Sequence, residues 1–411
     1  RSTGACPSKG RKNTGVQPDR GRTLHSPMSS YQVMPVTADD YRRLARKKLP
    51  RFLFDYIDGG AGEDTTLWSN REDFHRIRLR QRVMRDVSRV DSSTTVLDRS
   101  ENMPVVLAPV GLAGMFKRRG EVQAARAASA AGVPFTTSTV GICPVEEVQA
   151  AVADPVWFQL YMLRDRGVVR ALLERAAASG SDTLIYTVDL AVAGPRYRDF
   201  RNGMMGGGRR GALAKAWQLL TRPGWVLDVG IKGKPHDFGN LREEVDDAGD
   251  LEAFKAFVDS QFDPGVTWDD ISWLRSLWDG KLLIKGVMCR DDALAAIDAG
   301  ADGIVVSNHG GRQLDGVASC ISKLPEIVES VEGRTEIYMD GGVRSGTDVV
   351  KAVALGAKGV LIGRPWAWAL GASGEKGVLD LLAVIRKEIE ITMALMGINR
   401  IDELTPDLIE F

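Results

Sequence analysis

The sequence predicts a (β/α)8 barrel, and three observations carry that prediction. Eight short apolar runs recur between residues 105 and 363, most are followed by a stretch of helical period, and several of those stretches close on glycine. The runs are 105–108, 134–138, 156–161, 184–188, 281–285, 303–307, 336–340 and 359–363. Short apolar runs with little alternation suit strands buried on both faces, as a parallel sheet requires. Helical spacing marks 121–131, 166–178, 291–299 and 347–355, and Gly132, Gly180, Gly300 and Gly356 follow where a left-handed cap is wanted. Strand and helix in alternation imply a parallel sheet, and eight units imply its closure as a TIM barrel.

The flanking elements follow in order. Residues 1–27 carry six Lys/Arg against one Asp and almost no large apolar residues, so 1–36 is expected to be a disordered leader, with Met28 or Met34 as alternative starts. An N-terminal helical segment is expected at 38–48, leading to 52–64. Residues 37–411 then form one barrel domain. One spacing is anomalous, because the fourth run starts at 184 and the fifth only at 281. A helix at 268–277 uses part of that gap, and 196–265 is left as an insertion after the fourth strand. Within it, 196–222 holds seven Lys/Arg and one Asp, with Trp and Leu nearby. It reads either as a lid with ordinary packing or as a lid that also touches an anionic membrane surface. The apolar spacing at 376–397 predicts a closing outer helix.

Composition excludes several function classes. Charged residues make up 26% and the formal net charge is zero, which argues against a nucleic-acid binder that relies on bulk positive charge. Cys6, Cys143, Cys289 and Cys320 are scattered without CxxC spacing, so neither a zinc site nor a disulfide framework is signalled. No apolar run is long enough to span a membrane. The GxGxxG pattern at 206–211 neither follows a strand nor opens a βαβ unit, so it is not read as a dinucleotide fingerprint.

Chemistry concentrates at the ends of the runs. His309, Gly310, Gly311 and Arg312 follow the sixth run, at the end of a barrel strand that faces the active site. A histidine there can take a proton near neutral pH, and an arginine can grip a carboxylate with two prongs. The other histidines, His25, His75 and His236, lie away from strand ends. The seventh run ends in Asp340, Gly341, Gly342 and Arg344, and the eighth in Gly363 and Arg364. Barrels bind phosphate with these two loops through backbone N–H groups that glycines leave accessible. Ser138, Gln159, Tyr161, Thr187, Asp189 and Lys285 put polar groups where a barrel interior should be aliphatic, which argues for a polar ligand above the barrel.

These motifs resemble the FMN-dependent α-hydroxy-acid oxidising family, which includes glycolate oxidase and mandelate dehydrogenase. The specific stretches are SNHGGRQLD at 307–315, DGGVRSGTDV at 340–349 and IGRP at 362–365. LAPVGLAGMFKRRGEVQAA at 107–125, FDYIDGGA at 54–61 and GPRYRD at 194–199 are most similar to its bacterial respiratory L-lactate-oxidising branch. The resemblance implies FMN as cofactor and oxidation of an L-2-hydroxy acid, L-lactate first. It makes His309 the proton acceptor and Asp189 its orienting partner. Arg312 and Arg196 would bind the substrate carboxylate, and Tyr56 and Tyr161 its oxygens. Lys285 would sit by the N1/O2 edge of the flavin ring, with Ser138, Gln159 and Thr187 around the ring. Pro109, Val110 and Gly111 would offer backbone beside N5, and Ser307 would help hold the cofactor. Asp340, Gly341, Gly342, Arg344, Gly363 and Arg364 would hold the phosphate end.

The resemblance further implies a quinone or other respiratory acceptor, a homotetramer, and peripheral attachment to the cytoplasmic face of the bacterial inner membrane. Gly111 and Val140 depart from the oxidase pattern of alanine and a bulky aromatic. Both changes enlarge the substrate side, which weakens glycolate and leaves mandelate-sized acids open. The rival readings are an oxygen-using hydroxy-acid oxidase, an (S)-mandelate-type dehydrogenase, and a non-catalytic phosphate-binding barrel.

Overall fold

Eight parallel strands hydrogen-bond side by side in the computed structural model, which describes residues 34–205, 208–244 and 260–410. We label them β1 (Val105–Leu107), β2 (Thr136–Ser138), β3 (Trp157–Leu160), β4 (Thr183–Thr187), β5 (Lys281–Val287), β6 (Gly303–Val306), β7 (Glu336–Met339) and β8 (Gly359–Ile362). Each falls on one of the eight apolar runs. Neighbours run β1-β8-β7-β6-β5-β4-β3-β2. The ring closes where Leu107 pairs with Phe135 in parallel and its N–H donates to the Pro134 carbonyl at 2.9 Å.

The barrel is packed solid below its mouth. Val106, Trp157, Ile185, Leu283, Val305, Tyr338 and Leu361 meet inside it, with Val96 and Leu97 pushed in from below. Those two sit at the end of a hairpin, Thr94–Val96 with Arg99–Glu101, that plugs the N-terminal end of the barrel. Each aliphatic side chain buried this way stabilises the fold by about 1.5–3 kcal/mol. Ion pairs Lys281–Asp98 at 2.7 Å and Arg99–Asp182 at 3.0 Å rim the plug.

Helices cover the outside. They are α1 (Gly120–Ala131), α2 (Val145–Gln149), α3 (Arg166–Ala178), α4 (Asp269–Leu277), α5 (Arg290–Asp298), α6 (Cys320–Val331), α7 (Gly346–Ala354) and α8 (Arg364–Met396). The glycine stops hold, since Gly132, Gly180, Gly300 and Gly356 all take positive φ, between 66° and 102°. The 52–64 stretch, to which the sequence assigns no element, is helical over Arg51–Asp58, then turns and restarts at Thr65–Arg76. One element differs from expectation. The outer helix begins earlier than 376, at Arg364, and breaks at Gly374 (φ 65°, ψ −150°). Its first half buries Trp366, Ala367, Trp368, Ala369 and Leu370 in sequence, so no amphipathic period announces it.

One irregularity shapes the barrel mouth. The β5–β6 register shifts between Lys285 and Val287, a bulge centred on Gly286 at φ 118°. A Cβ on Gly286 would lie 2.8 Å from Asp189 Cβ, so only glycine lets β5 pass this close to the end of β4.

Val36–Phe411 forms one compact unit. Most of the expected leader, residues 1–33, lies outside the described residues, as do 245–259 of the insertion and Gly206 and Gly207 of the discounted GxGxxG pattern. The described part of the insertion contains a helix, Gly208–Leu220, and a return segment that reaches the barrel at Phe238–Leu241.

Candidate active site

The strand ends converge on one cavity of about 1290 Å3, open mouth included. It is lined by Tyr56, Pro109, Val110, Gly111, Tyr161, Thr187, Arg196, Lys285, His309 and Arg312, and towards β7 and β8 by Asp340, Gly341, Gly342, Arg344, Gly363 and Arg364. Four other residues singled out in the sequence stand behind the lining, three bonded to it and Ser138 reaching it through Gln159. Asp189 bonds His309, Ser307 bonds Lys285, Gln159 bonds Thr187, and Ser138 bonds Gln159.

His309 sits at φ 57°, followed by Gly310 at 64° and Gly311 at 74°. Three left-handed residues in a row turn the chain sharply after β6 and explain the Gly-Gly pair. A Cβ on Gly311 would strike the Leu67 backbone at 2.6 Å. The rest of the motif is scaffolding. Asn308 and Asn70 exchange amide hydrogen bonds, both at 2.9 Å. The Asp315 carboxylate accepts from the N–H groups of Glu63, Thr65 and Thr66 at the start of the helix Thr65–Arg76. Gln313 donates to the Asp189 and Val192 carbonyls at 2.8 and 3.0 Å and fixes the loop after β4.

His309 Nδ1 lies 2.8 Å from Asp189 Oδ1, which holds the proton on Nδ1 and leaves Nε2 as the basic nitrogen. Burial lowers the His309 pKa below its ordinary value. The Asp189 charge opposes that, while Lys285 and Arg196 reinforce it. The imidazole is therefore neutral and able to accept a proton at neutral pH. Burial opposes the charge on Asp189, but its contact and hydrogen bond with His309 and the nearby Lys285 ammonium outweigh that and keep it ionised. Tyr161 stacks near the imidazole, with centroids 6.5 Å apart, and burial pushes its hydroxyl pKa up to about 12.

Arginines dominate the remaining walls. Arg312 lies over the Tyr56 ring at 4.8 Å and donates through Nη1 to the carbonyls of Tyr56 and Gly59. Arg364 donates to the Ile57, Gly310 and Gly59 carbonyls at 3.0, 2.8 and 2.7 Å, so it stitches the N-terminal segment to the His309 loop as well as lining the cavity. Arg344 packs over Trp368 at 5.0 Å. Burial lowers all three guanidinium pKa values, Arg344 to about 10, and neighbouring arginines depress them further: Arg196 acts on Arg312, Arg71 on Arg344, and Arg312 and Arg344 on Arg364. Clustered, desolvated cations are stabilised by an anion among them.

These residues fit FMN. Arg344 Nε, Arg196 Nε, Asp340 Oδ1 and Asp189 Oδ2 are buried without a hydrogen-bond partner, and each such atom costs about 1–3 kcal/mol until one is supplied. Gly341 and Gly342 hold φ at 82° and 90°, and a Cβ on Gly342 would overlap the Asn70 carbonyl. Only glycine permits that loop beside the arginines. At the other end, Lys285 Nζ lies 3.1 Å from Asp340 and 3.0 Å from Ser307 Oγ. Burial opposes its charge, but Asp340 and Asp189 outweigh it and hold its pKa above the ordinary value. A chain of hydrogen bonds from Ser138 to Gln159 (2.9 Å) to Thr187 (3.1 Å) lies level with it, a polar ledge for a heteroaromatic ring.

Sequence reasoning missed Phe238 and Phe262, which line the cavity from the insertion, and Leu190 and Ala193 after β4. No periodic pattern in the insertion marks them. It also missed Arg198, which ties the insertion to the N-terminal segment through Asp58 (3.0 Å) and Asp64. The run of arginine and aspartate in GPRYRD was the available signal.

Comparison with known proteins gives the same picture. A family model described as FMN-dependent dehydrogenase matches residues 45–411. The L-lactate dehydrogenase of a Caulobacter species is 53% identical over 365 residues, covering 89% of this chain and 96% of the relative. That of Pseudomonas entomophila is 51% identical over 368 residues, 90% and 96% of the two chains. Among solved structures, (S)-mandelate dehydrogenase, described as a monotopic membrane protein, superposes with a TM-score of 0.86 at 35% identity, covering 92% of this chain and all of that one. The chain belongs to the FMN-dependent dehydrogenase family, and FMN is its cofactor.

Proposed function

We propose that this enzyme oxidises L-lactate to pyruvate at the His309 cavity and passes the electrons to a quinone at a membrane surface. The carrying observation is a neutral His309 held by an ionised Asp189 and set among Arg312, Arg196, Tyr56 and Tyr161 in one cavity. The L-lactate dehydrogenases among its relatives support lactate as the acid.

FMN, when bound, supplies the two-electron acceptor. His309 Nε2 accepts the substrate proton, and Asp189 stabilises the imidazolium that results. Arg312 holds the substrate carboxylate through its Nε/Nη2 edge, since Nη1 is committed to backbone carbonyls. Arg196 adds a second cation, and the Tyr56 and Tyr161 hydroxyls hydrogen-bond the substrate oxygens. Lys285, kept in place by Ser307, would supply a positive charge to the flavin ring, which Ser138, Gln159 and Thr187 would help hold. Backbone groups of Pro109, Val110 and Gly111 would also hold the ring, and the loops bearing Asp340, Gly341, Gly342, Arg344, Gly363 and Arg364 would hold the phosphate end. The test is anaerobic: L-lactate should bleach the yellow protein within seconds while D-lactate does not. Failure of both L-lactate and other L-2-hydroxy acids to bleach it would sink the reading.

The membrane part rests on the insertion. On the helix Gly208–Leu220, Leu213, Trp217 and Leu220 are 72%, 69% and 74% exposed, and their spacing of four and three residues puts them on one face. Leu227 and Ile231, further along the insertion, are exposed as well, as are Arg209 and Arg210 in the first turn of the helix. Apolar side chains flanked by cations suit a shallow seat in anionic lipid. No helix among the described residues is long and apolar enough to cross a membrane. Replacing Leu213, Trp217 and Leu220 together by glutamate should abolish sedimentation with phosphatidylglycerol vesicles and leave lactate bleaching within about two-fold. Unchanged sedimentation would refute membrane seating through this face. The oligomer expected from the family resemblance is a homotetramer.

A further inference from the structure

A Cβ on Gly111 would lie 2.7 Å from Val140 Cγ2, so Val140 already takes the room that Gly111 leaves, and the bulk still missing from this wall is what a larger side chain at position 140 would add. Phe238 comes in from the insertion, is 3% exposed and lines the same cavity as Gly111 and Val140. Its backbone has little freedom to withdraw. The Gly239 N–H donates to the Gly141 carbonyl at 2.9 Å, one residue from Val140. Asn240 accepts from the Val145 N–H at 2.8 Å and donates to the Ser138 carbonyl at 3.0 Å. Arg175 in α3 holds the Asn240 carbonyl at 2.9 Å. A Cβ on Gly239 would lie 2.5 Å from the Pro144 nitrogen, so glycine alone permits so close an approach.

The second insertion phenylalanine is placed differently. Phe262 meets Tyr161 edge-on, with centroids 5.3 Å apart at 66°, and its backbone bridges to Leu163. It buttresses a tyrosine already stacked near His309.

We infer that Phe238 is the specificity-determining residue of this cavity: it supplies from the insertion the bulk that Val140 withholds, and limits the acid to a small aliphatic side chain. The inference rests on the hydroxy-acid reading above and names its substrate class. A phenyl ring held rigidly in the cavity occupies the space that an aryl substituent would need. Two interdigitated rings cannot share that volume, because protein interiors have no slack of that size. Removing the ring vacates a space matched to the phenyl of mandelate, while lactate, with only a methyl, loses contacts.

The test compares kcat/KM for (S)-mandelate and L-lactate, using the FMN-loaded protein and an artificial dye acceptor. In the unmutated enzyme lactate should be preferred by at least about 100-fold, the scale at which a pocket discriminates by size. Phe238→Ala should raise the mandelate-to-lactate ratio by about 100-fold. Phe238→Leu, which keeps most of the volume and guards against a variant that fails to fold, should shift it about ten-fold in the same direction. Phe262→Ala should lower turnover of both acids alike and leave the ratio within about three-fold. Intact flavin absorbance confirms that each variant retains its cofactor. The inference is overturned if Phe238→Leu leaves the ratio unmoved, if Phe262→Ala shifts it as much as Phe238→Ala, or if the unmutated enzyme already turns over mandelate as fast as lactate. Lactate bleaching of the unmutated protein separates the two claims: bleaching with no effect at position 238 refutes the size limit alone, and no bleaching by any 2-hydroxy acid refutes both.

Discussion

Replacing His309 by glutamine should leave a yellow, FMN-loaded protein whose reduction by L-lactate is slower by about 10³- to 10⁴-fold, the range expected when a positioned general base is lost. Glutamine keeps a polar side chain of similar length but accepts no proton. The cofactor contacts proposed for Lys285, Arg344 and the β7 and β8 loops are untouched, so FMN content should not fall. Anaerobic stopped-flow bleaching measures the rate, and reduction at the unmutated rate would remove His309 from the chemistry.

The pH profile follows from the same group. Proton acceptance requires the neutral imidazole, and burial holds the His309 pKa below the ordinary 6.5. As pH falls through that lowered value the base becomes protonated and kcat/KM drops, while above it the histidine contributes no further change. The acid limb should therefore lie below pH 6.5. Asp189 raises the His309 pKa. Asp189→Asn should shift the limb to still lower pH and slow the maximal rate, since the imidazolium loses its counter-charge. An acid limb above pH 6.5 in the unmutated enzyme would contradict this account.

Arg312→Lys should reduce kcat/KM for L-lactate by about 10²- to 10³-fold, roughly 3–4 kcal/mol of transition-state stabilisation. The change looks conservative and is not. Arg312 is held over the Tyr56 ring at 4.8 Å and pinned through Nη1 to two carbonyls. A lysine would forfeit the stacking, the pinning and the two-pronged grip together. Pyruvate affinity, followed by its perturbation of the flavin spectrum, should weaken in parallel. Unaltered affinity would place the carboxylate elsewhere, with Arg196 the next group to test.

Much of this architecture was legible because its signals are local. The eight apolar runs mark eight strands since a barrel strand must be apolar on both faces. The glycine stops mark helix ends since a left-handed cap excludes most side chains. The cavity lining was legible for a different reason, as polar groups at apolar strand ends have no structural use. What stayed hidden depends on distant partners. Nothing near Asn308 or Asp315 indicates that they tie the His309 loop to Asn70 and to the helix Thr65–Arg76. The first half of α8 is buried all round and so shows no face. Phe238 acquires its place from Gly239 and Asn240 docking on β2, a contact across about one hundred residues that no spacing encodes. The helix Gly208–Leu220 turns Leu213, Trp217 and Leu220 outward while Leu219 packs against the core, the reverse of the usual rule for three of its four large apolar residues.

The bulge at Gly286 carries a lesson for engineering. A regular fifth strand would gain ladder bonds and tempt anyone seeking thermal tolerance to idealise it. Yet the irregular turn is what clears space for Asp189, and with it the poise of the acid–base couple. Here sturdiness and turnover draw on the same few ångströms of backbone, and a tidier barrel would be a slower catalyst.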